Sequence, residues 1–339
     1  MKRTLTIILQ CVVTSALLWW IFHDKEKNSE MLDALRQAQW LRLIPAILAI
    51  GSVCLIQTQR WHLFLRAQDI SFGWWRELRV YMIGLFFNLF LLGSTGGDVV
   101  KIYYTLRETK TKKSAALLSV LVDRMMGLLG LVAVTVLVIA LRWKQMMASD
   151  VTRGLLLLLT AVMGAMLAMI FFGFLMDRFR LTEKIPHRMP MRKTIVEYAD
   201  AFSIYARDGG TLWATFALSM LSHILNFSVF YFAARALNAF EGWQGLIDVF
   251  CIMPIIMTIA SLPISLSGVG VREGLFQKLF NSLYATPAAI AVPISILGFC
   301  TTVFWSLVGG IVYLFYRPSG GLHLTEMQAA IDEEKIPAP

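Results

Sequence analysis

The sequence predicts an all-α fold, a polytopic bundle of transmembrane helices. Hydrophobic residues make up 57% of its 339 residues and charged residues only 16%, whereas soluble domains average about 45–50% apolar and about 25% charged. The apolar residues are concentrated in long runs, and about 20 of them suffice for one membrane-spanning helix. Basic residues gather between these runs, which is typical of cytoplasmic loops.

The first apolar run, Leu5 to Phe22, resembles a signal peptide because it follows Lys2 and Arg3. No small-x-small cleavage site comes after it, and Trp19-Trp20 are typical of an interfacial aromatic belt, so we predict a retained first helix. The further apolar runs cover about 41–57, 80–96, 114–140, 154–175, 211–234, 246–266 and 287–316.

The charges between the runs predict the orientation. Three basic segments, 58–79, 98–113 and 176–210, are expected in the cytoplasm, and two segments of mixed charge, 23–40 and 235–248, outside. Both termini of this multi-pass protein of the inner (plasma) membrane are then cytoplasmic.

The run 80–96 lies between two cytoplasmic segments, so it cannot cross the membrane once. Small residues interrupt it at 93–97, and we predict a re-entrant hairpin over about 80–107. A similar break at 263–270 predicts a second hairpin, about 246–286, which enters from outside. Broken backbone at this depth is tolerated only where protein or a water-filled cavity covers it.

Paired breaks in the two halves resemble an inverted repeat and are typical of a transport site. The prediction is about six crossings plus two re-entrant hairpins in a single domain over 1–317, followed by a disordered cytoplasmic tail at 318–339. The alternative is that both breaks are ordinary interfacial loops.

The sequence carries few signs of soluble chemistry. Its four cysteines lie inside apolar runs without a CxxC pair, and it has neither an HExxH nor a Walker motif. We therefore expect no metal, no cofactor and no ATP-driven transport by this chain alone. The net charge of +9 is scattered between apolar runs, which favours anionic lipid head groups as partners over nucleic acid.

Asp123 follows the basic cluster 110–113 by about ten residues, which places it about 15 Å deep in the membrane. Arg124 points about 100° away around the helix, so each charge needs a partner elsewhere. The available partners are Asp98, Lys101, Arg272 and Glu273. A buried charge costs at least about 2.5–3.5 kcal/mol, so these residues either line a substrate cavity or form a structural ion-pair network.

The returning arms of the hairpins begin near Gly97 and Gly270. Helices that begin inside the bilayer direct their positive dipole ends at the midplane, where they suit an anion such as a lipid phosphate. We expect Lys101, Arg124 and Arg272 to face the same cavity. Further candidate residues are Asn88, Ser94, Thr95, Gly96, Ser265, Ser267 and Gly268. They either contact the lipid head group or serve only to end helices and pack them.

Three motifs, at 87–104, 119–127 and 265–274, together resemble the lysylphosphatidylglycerol synthase transmembrane-region family of flippase-like membrane proteins. The resemblance covers about 5–317 and implies a lipid-handling role. In two-domain relatives this region moves aminoacylated phosphatidylglycerol, which a separate cytoplasmic domain makes. No synthase domain follows the last helix here, so the resemblance implies a stand-alone form without aminoacyl transfer.

The resemblance implies translocation, by flipping or scrambling, of a phosphate-bearing lipid such as a phospholipid or a polyprenyl-phosphate-linked lipid. Other stand-alone relatives are associated with polyprenyl-linked sugars or hopanoids, which leaves the lipid open. A separate lipid-synthesising enzyme is a further candidate partner. The alternatives are an intramembrane enzyme or an accessory subunit in cell-envelope glycolipid or polyprenyl-phosphate metabolism, although no nucleophile–base pair is recognisable.

Overall fold

The computed structural model describes residues 2–90, 96–108, 113–147, 209–261 and 265–316, together with scattered positions from 150 to 168. The regular structure of these residues is entirely helical. The helices are α1 (Lys2–Phe22), α2 (Lys25–Arg36), α3 (Ile44–Ala67), α4 (Trp74–Phe90), α5 (Gly96–Glu108), α6 (Lys113–Leu141), α7 (Trp143–Met146), α8 (Gly209–Ala236), α9 (Gly242–Ala260), α10 (Val271–Tyr284) and α11 (Ala288–Phe315). Short 3₁₀ turns, Trp40–Leu43 and Leu266–Gly268, precede α3 and α10.

Five of the described helical segments are long and apolar enough to cross a membrane. They are Trp40–Ala67, Ala115–Leu141, Gly209–Ala236, Gly242–Ala260 and Ala288–Phe315. The predicted polytopic helical bundle is therefore confirmed, and the chain is a multi-pass membrane protein. The predicted tail at 318–339 lies outside the described residues, and so does most of the predicted crossing at 154–175. The number of crossings therefore stays a prediction.

The two predicted hairpins differ in the length of their arms. Helices α4 and α5 have 17 and 13 residues, or about 25 and 20 Å at 1.5 Å per residue, and both are shorter than a hydrocarbon core of about 30 Å. In the second hairpin α10 is similarly short, with 14 residues. Its partner α9, however, is one of the five long helices, so the two arms of the second hairpin differ in length.

Close backbone contact joins α4 to α5. A Cβ atom on Gly97 would collide with the Gly84 carbonyl oxygen and with the Asn88 side chain. The Gly97 N–H also donates to Asn88 Oδ1 at 2.6 Å, which satisfies one of the free donors at the start of α5. The connection between the helices, including Ser94 and Thr95, lies outside the described residues.

This contact predicts that Gly97→Ala destabilises the first hairpin, because the new methyl group meets backbone that has no room to move. We expect a lower thermal midpoint in detergent and a reduced yield of monodisperse protein. Gly274→Ala, on α10, is the matched control, because its Cβ would meet only Trp20, at 3.8 Å. Equal stability of the two variants would contradict the close contact.

The core of the bundle forms where α3 packs on α8 and where α11 packs on α4 and α10. Large aromatic side chains fill it, among them the fully buried Phe227, Phe276 and Phe280. Trp305 of α11 donates its indole N–H to the Ile47 carbonyl of α3 at 2.8 Å. These contacts hold the second hairpin and α4 against one common scaffold.

The polar helix α2 lies at the ends of α1 and α11. Asp24 caps it by accepting from the Lys27 and Glu26 N–H groups, and these backbone hydrogen bonds, that of Lys27 first, lower the pKa of its carboxyl group. Met31 is its one buried residue and packs in a cluster with Val292 of α11.

Candidate functional site

Charged residues from three helices and a serine from a fourth meet in the first buried cluster, which consists of Arg60, Lys101, Asp123 and Ser219. Arg60 Nε donates to Asp123 Oδ1 at 2.7 Å, and Arg60 Nη1 donates to Ser219 Oγ at 2.9 Å. Lys101 Nζ lies 3.6 Å from Asp123 Oδ2. The cluster therefore connects α3, α5, α6 and α8 within the membrane.

Two cations share one carboxylate in this cluster. Aromatic faces stabilise the second cation, since Lys101 Nζ lies 4.6 Å from the centroid of the Tyr81 ring and 5.4 Å from that of Trp61. Tyr81 in turn donates to Gln57 Oε1 at 2.8 Å. The cluster keeps a net positive charge in a buried position.

Asp98 and Arg124 form a separate, more exposed ion pair between α5 and α6. Asp123 and Arg124 thus have different partners, as expected of neighbours on a helix. Arg272 and Glu273, the other candidate partners, lie in the second hairpin and pair with each other.

The second cluster consists of Arg272, Glu273, Ser295 and Phe299. Arg272 donates to Glu273 Oε1 from Nη2 at 2.6 Å and from Nε at 3.1 Å, and Nε also donates to Ser295 Oγ at 3.0 Å. The guanidinium carbon lies 4.1 Å from the centroid of the Phe299 ring. Glu273 Oε2 accepts from the Gly270 N–H at 2.6 Å, which fixes the start of α10.

The tip of the second hairpin contacts the end of α4. Ser267, which has a left-handed φ of 49°, donates from Oγ to the Leu89 carbonyl at 2.9 Å. Gly268 and Gly270 also have positive φ, of 73° and 85°, a conformation that glycine adopts without strain. The left-handed turn therefore directs Ser267 at the first hairpin.

A cavity of about 230 Å³ lies at this contact. We call it the hairpin-tip cavity. Its lining comprises Leu85, Asn88, Leu89, Met257, Ala260, Ser261, Ser265, Ser267, Gly268, Arg272, Phe299, Thr302 and Ser306. They come from α4, the end of α9, the following turn, the start of α10 and α11.

The hairpin-tip cavity contains part of the predicted site. Asn88, Ser267, Gly268 and Arg272 line it, with the candidate Ser265. Lys101 and Asp123 belong to the first buried cluster, and Asp98 and Arg124 form their own pair. Glu273 contacts Arg272 but does not line the cavity. Gly96, Gly97 and Gly270 form the starts of α5 and α10.

The expectation of one cavity with three cations is corrected accordingly. Of these cations, Arg272 alone lines the hairpin-tip cavity. The reason is local, since the Lys101 side chain is held by Asp123 and two aromatic rings. Arg124 is held by Asp98. Among the described residues, no group of three or more His, Cys, Asp or Glu side chains is placed to hold a metal ion.

A family model described as the lysylphosphatidylglycerol synthase transmembrane region matches residues 7–310. The chain belongs to this family. Comparison with curated proteins gave no matching relative. Both clusters and the hairpin-tip cavity lie inside the matched range, so the site is part of the family's membrane domain.

Sequence reasoning missed several residues of this family member's site. Arg60 was assigned to a cytoplasmic loop, although α3 continues to Ala67 and carries it inside the bundle. The apolar residues Trp61, Phe64 and Leu65 that follow it were the available signal, because they continue a buried helical face. Ser295 and Thr302 lie in an uninterrupted apolar run, where nothing distinguishes a lining hydroxyl from a packed one.

Proposed function

We propose that this protein translocates a phosphate-bearing lipid, by flipping or scrambling, across the inner membrane. The observation that supports this most is the hairpin-tip cavity, where a guanidinium lies at the start of a helix between two broken hairpins. Broken helices that meet in this way are a feature of transporter binding sites.

The chemistry of the cavity favours an anion. Arg272 contacts Glu273 and Ser295 through Nε and Nη2, so Nη1 is not used in these contacts. The start of α10 adds its positive dipole end and free N–H groups. A phosphate offers several acceptor oxygens and matches the planar donors of arginine.

Transport also needs a route for the acyl chains. Leu85, Leu89, Met257 and Ala260 give the cavity an apolar side, against which a lipid tail can lie while its head group contacts Arg272. The cargo would pass between the tips of the two hairpins, at the contact of Ser267 with Leu89.

In the proposed orientation both termini and the first hairpin face the cytoplasm, and exposed tryptophans lie at helix ends on both sides of the membrane. Trp75 and Trp213 are exposed near the starts of α4 and α8, at ends predicted to be cytoplasmic. Trp40 and Trp243 are exposed at helix ends predicted to be external. Tryptophan is enriched at both membrane interfaces, so these positions fit helix ends at an interface rather than a particular sidedness.

This orientation predicts the labelling of single cysteines by an impermeant maleimide. The background lacks the four native cysteines, of which Cys54 and Cys251 are buried and Cys11 and Cys300 exposed. Trp75→Cys and Arg107→Cys, on the two arms of the first hairpin, are expected to label from the cytoplasmic side alone. Trp243→Cys is expected to label from outside. Labelling of positions 75 and 107 from opposite sides would refute the re-entrant hairpin.

The function is tested with purified protein in vesicles that contain a trace of phosphatidylglycerol with a fluorescent acyl chain. Dithionite bleaches the label in the outer leaflet, so translocation shows as loss of the protected fraction. We expect bleaching beyond that fraction and an unmodified lipid by mass spectrometry. A chemically altered lipid would favour an intramembrane enzyme, and neither movement nor alteration would favour an accessory subunit.

A further inference from the structure

The polar atoms of the hairpin-tip cavity define the head group that it fits. Its one charged lining residue is Arg272, and no carboxylate occurs among the lining residues that the structure describes. Glu273 contacts Arg272 but does not itself line the cavity. The hydroxyl side chains in the lining are Ser261, Ser265, Ser267, Thr302 and Ser306.

Two of these hydroxyls are available mainly as acceptors. Ser267 and Ser306 already donate to backbone carbonyl oxygens, at 2.9 and 3.4 Å. A serine hydroxyl has one proton and two lone pairs, so these oxygens retain lone pairs for a ligand. A ligand that matches them brings O–H donors of its own, as a polyol does.

Donors for an anion come from two other residues. Ser265 is only 2% exposed, and its Oγ has no hydrogen-bond partner among the described residues. A buried hydroxyl without a partner is costly, so Ser265 indicates a ligand atom at this position. Arg272 contributes the guanidinium nitrogen that does not contact Glu273 or Ser295.

An amine, by contrast, finds neither a carboxylate nor a free aromatic face in the described lining. A desolvated ammonium group needs a carboxylate or the face of an aromatic ring. Phe299 is the one aromatic residue in the described lining, and the Arg272 guanidinium already lies 4.1 Å from its centroid. An ammonium group here would face Arg272 without an acidic partner of its own.

We propose, on the basis of the transport function above, that the hairpin-tip cavity selects an anionic lipid head group with free hydroxyl groups and excludes one with an amine. Phosphoglycerol and phosphorylated sugars have the required chemistry. Lysylphosphatidylglycerol, the lipid in the family's description, carries amino groups and is excluded. The selectivity follows from serine hydroxyls that can accept hydrogen bonds, from the Arg272 guanidinium, and from the Phe299 ring, whose face that guanidinium already contacts.

The test compares two acyl-labelled lipids, phosphatidylglycerol and phosphatidylethanolamine, in vesicles of phosphatidylcholine that contain the full chain. We expect phosphatidylglycerol to move at least about tenfold faster, the equivalent of one charge-assisted hydrogen bond. Equal rates would overturn the selectivity and leave the transport function intact. No movement of either lipid would instead refute the transport function itself.

Two neighbouring threonines of α11 provide matched variants. Thr302→Val removes a lining hydroxyl at constant shape and is expected to reduce the preference for phosphatidylglycerol. Thr301→Val is the control, because Thr301 is buried outside the lining and donates to the Gly298 carbonyl. Thr302→Asp adds a carboxylate and is expected to shift the preference toward phosphatidylethanolamine. An unchanged preference in both Thr302 variants would contradict the assignment to this cavity.

Discussion

Replacement of Asp123 by alanine is expected to cause the largest loss of stability in this protein. Asp123 is the carboxylate that Arg60 and Lys101 share, at 2.7 and 3.6 Å, and its side chain is only 5% exposed. Its removal leaves two cations buried without a counter-charge. The loss of one partner from a buried ion pair typically costs about 3–5 kcal/mol. The expected result is a marked fall in yield and in thermal midpoint in detergent, with loss of transport.

A double variant separates charge from lost contacts. Asp123→Asn with Lys101→Met removes one charge of each sign and restores the net charge of the first buried cluster, so it is expected to recover much of the stability lost in Asp123→Asn. Asp33→Ala is the surface control, since its pair with Arg36 is largely exposed and such pairs contribute about 0–1 kcal/mol. Similar effects of Asp33→Ala and Asp123→Ala would contradict a buried cluster.

Replacement of Arg272 by alanine is expected to slow transport strongly, with a smaller effect on folding than Asp123→Ala. Arg272 is the one charged residue that lines the hairpin-tip cavity in the described part of the chain. Glu273 keeps two of its contacts in the variant, with the Gly270 N–H and with Ser295. Hydrogen bonds to a charged group contribute about 1.5–3 kcal/mol, so transport of phosphatidylglycerol should slow by about ten- to a hundredfold.

Two further variants sharpen this prediction. Arg272→Lys keeps the charge but loses the planar fork of donors, and an intermediate rate is expected. Lys278→Gln removes an exposed cation from the same helix and should leave the rate unchanged. Size-exclusion profiles and thermal midpoints distinguish slow transport from misfolding. If a folded Arg272→Ala variant transported lipid at the full rate, the Arg272 guanidinium would not be part of the binding site.

The broad architecture could be predicted because it rests on signals that are local in the sequence. Apolar runs of sufficient length became α3, α6, α8, α9 and α11. Basic flanks and small residues predicted a break near Gly97, and the structure has two short, closely packed helices there. Such signals need no knowledge of which helices are neighbours.

The arrangement of the charges could not be predicted in the same way. Counting residues from a loop gives the depth of Asp123 but not its lateral neighbours, so Lys101 and Arg272 were expected together although they lie in different clusters. Helical geometry separates Asp123 from Arg124. The same rule fails for Arg272 and Glu273, because Glu273 turns back toward the start of α10 and meets its neighbour there.

Passage of the head group between the hairpin tips is tested most directly by bridging them. Leu89→Cys and Ser267→Cys, in the background without native cysteines, place one thiol on each side of the contact that Ser267 Oγ makes with the Leu89 carbonyl. A short bifunctional methanethiosulfonate then bridges the tips reversibly, and the single-cysteine variants control for modification alone. We predict that bridged protein loses movement of labelled phosphatidylglycerol and that a reducing agent restores it. Undiminished movement in fully bridged protein would show that the lipid does not pass between the hairpins.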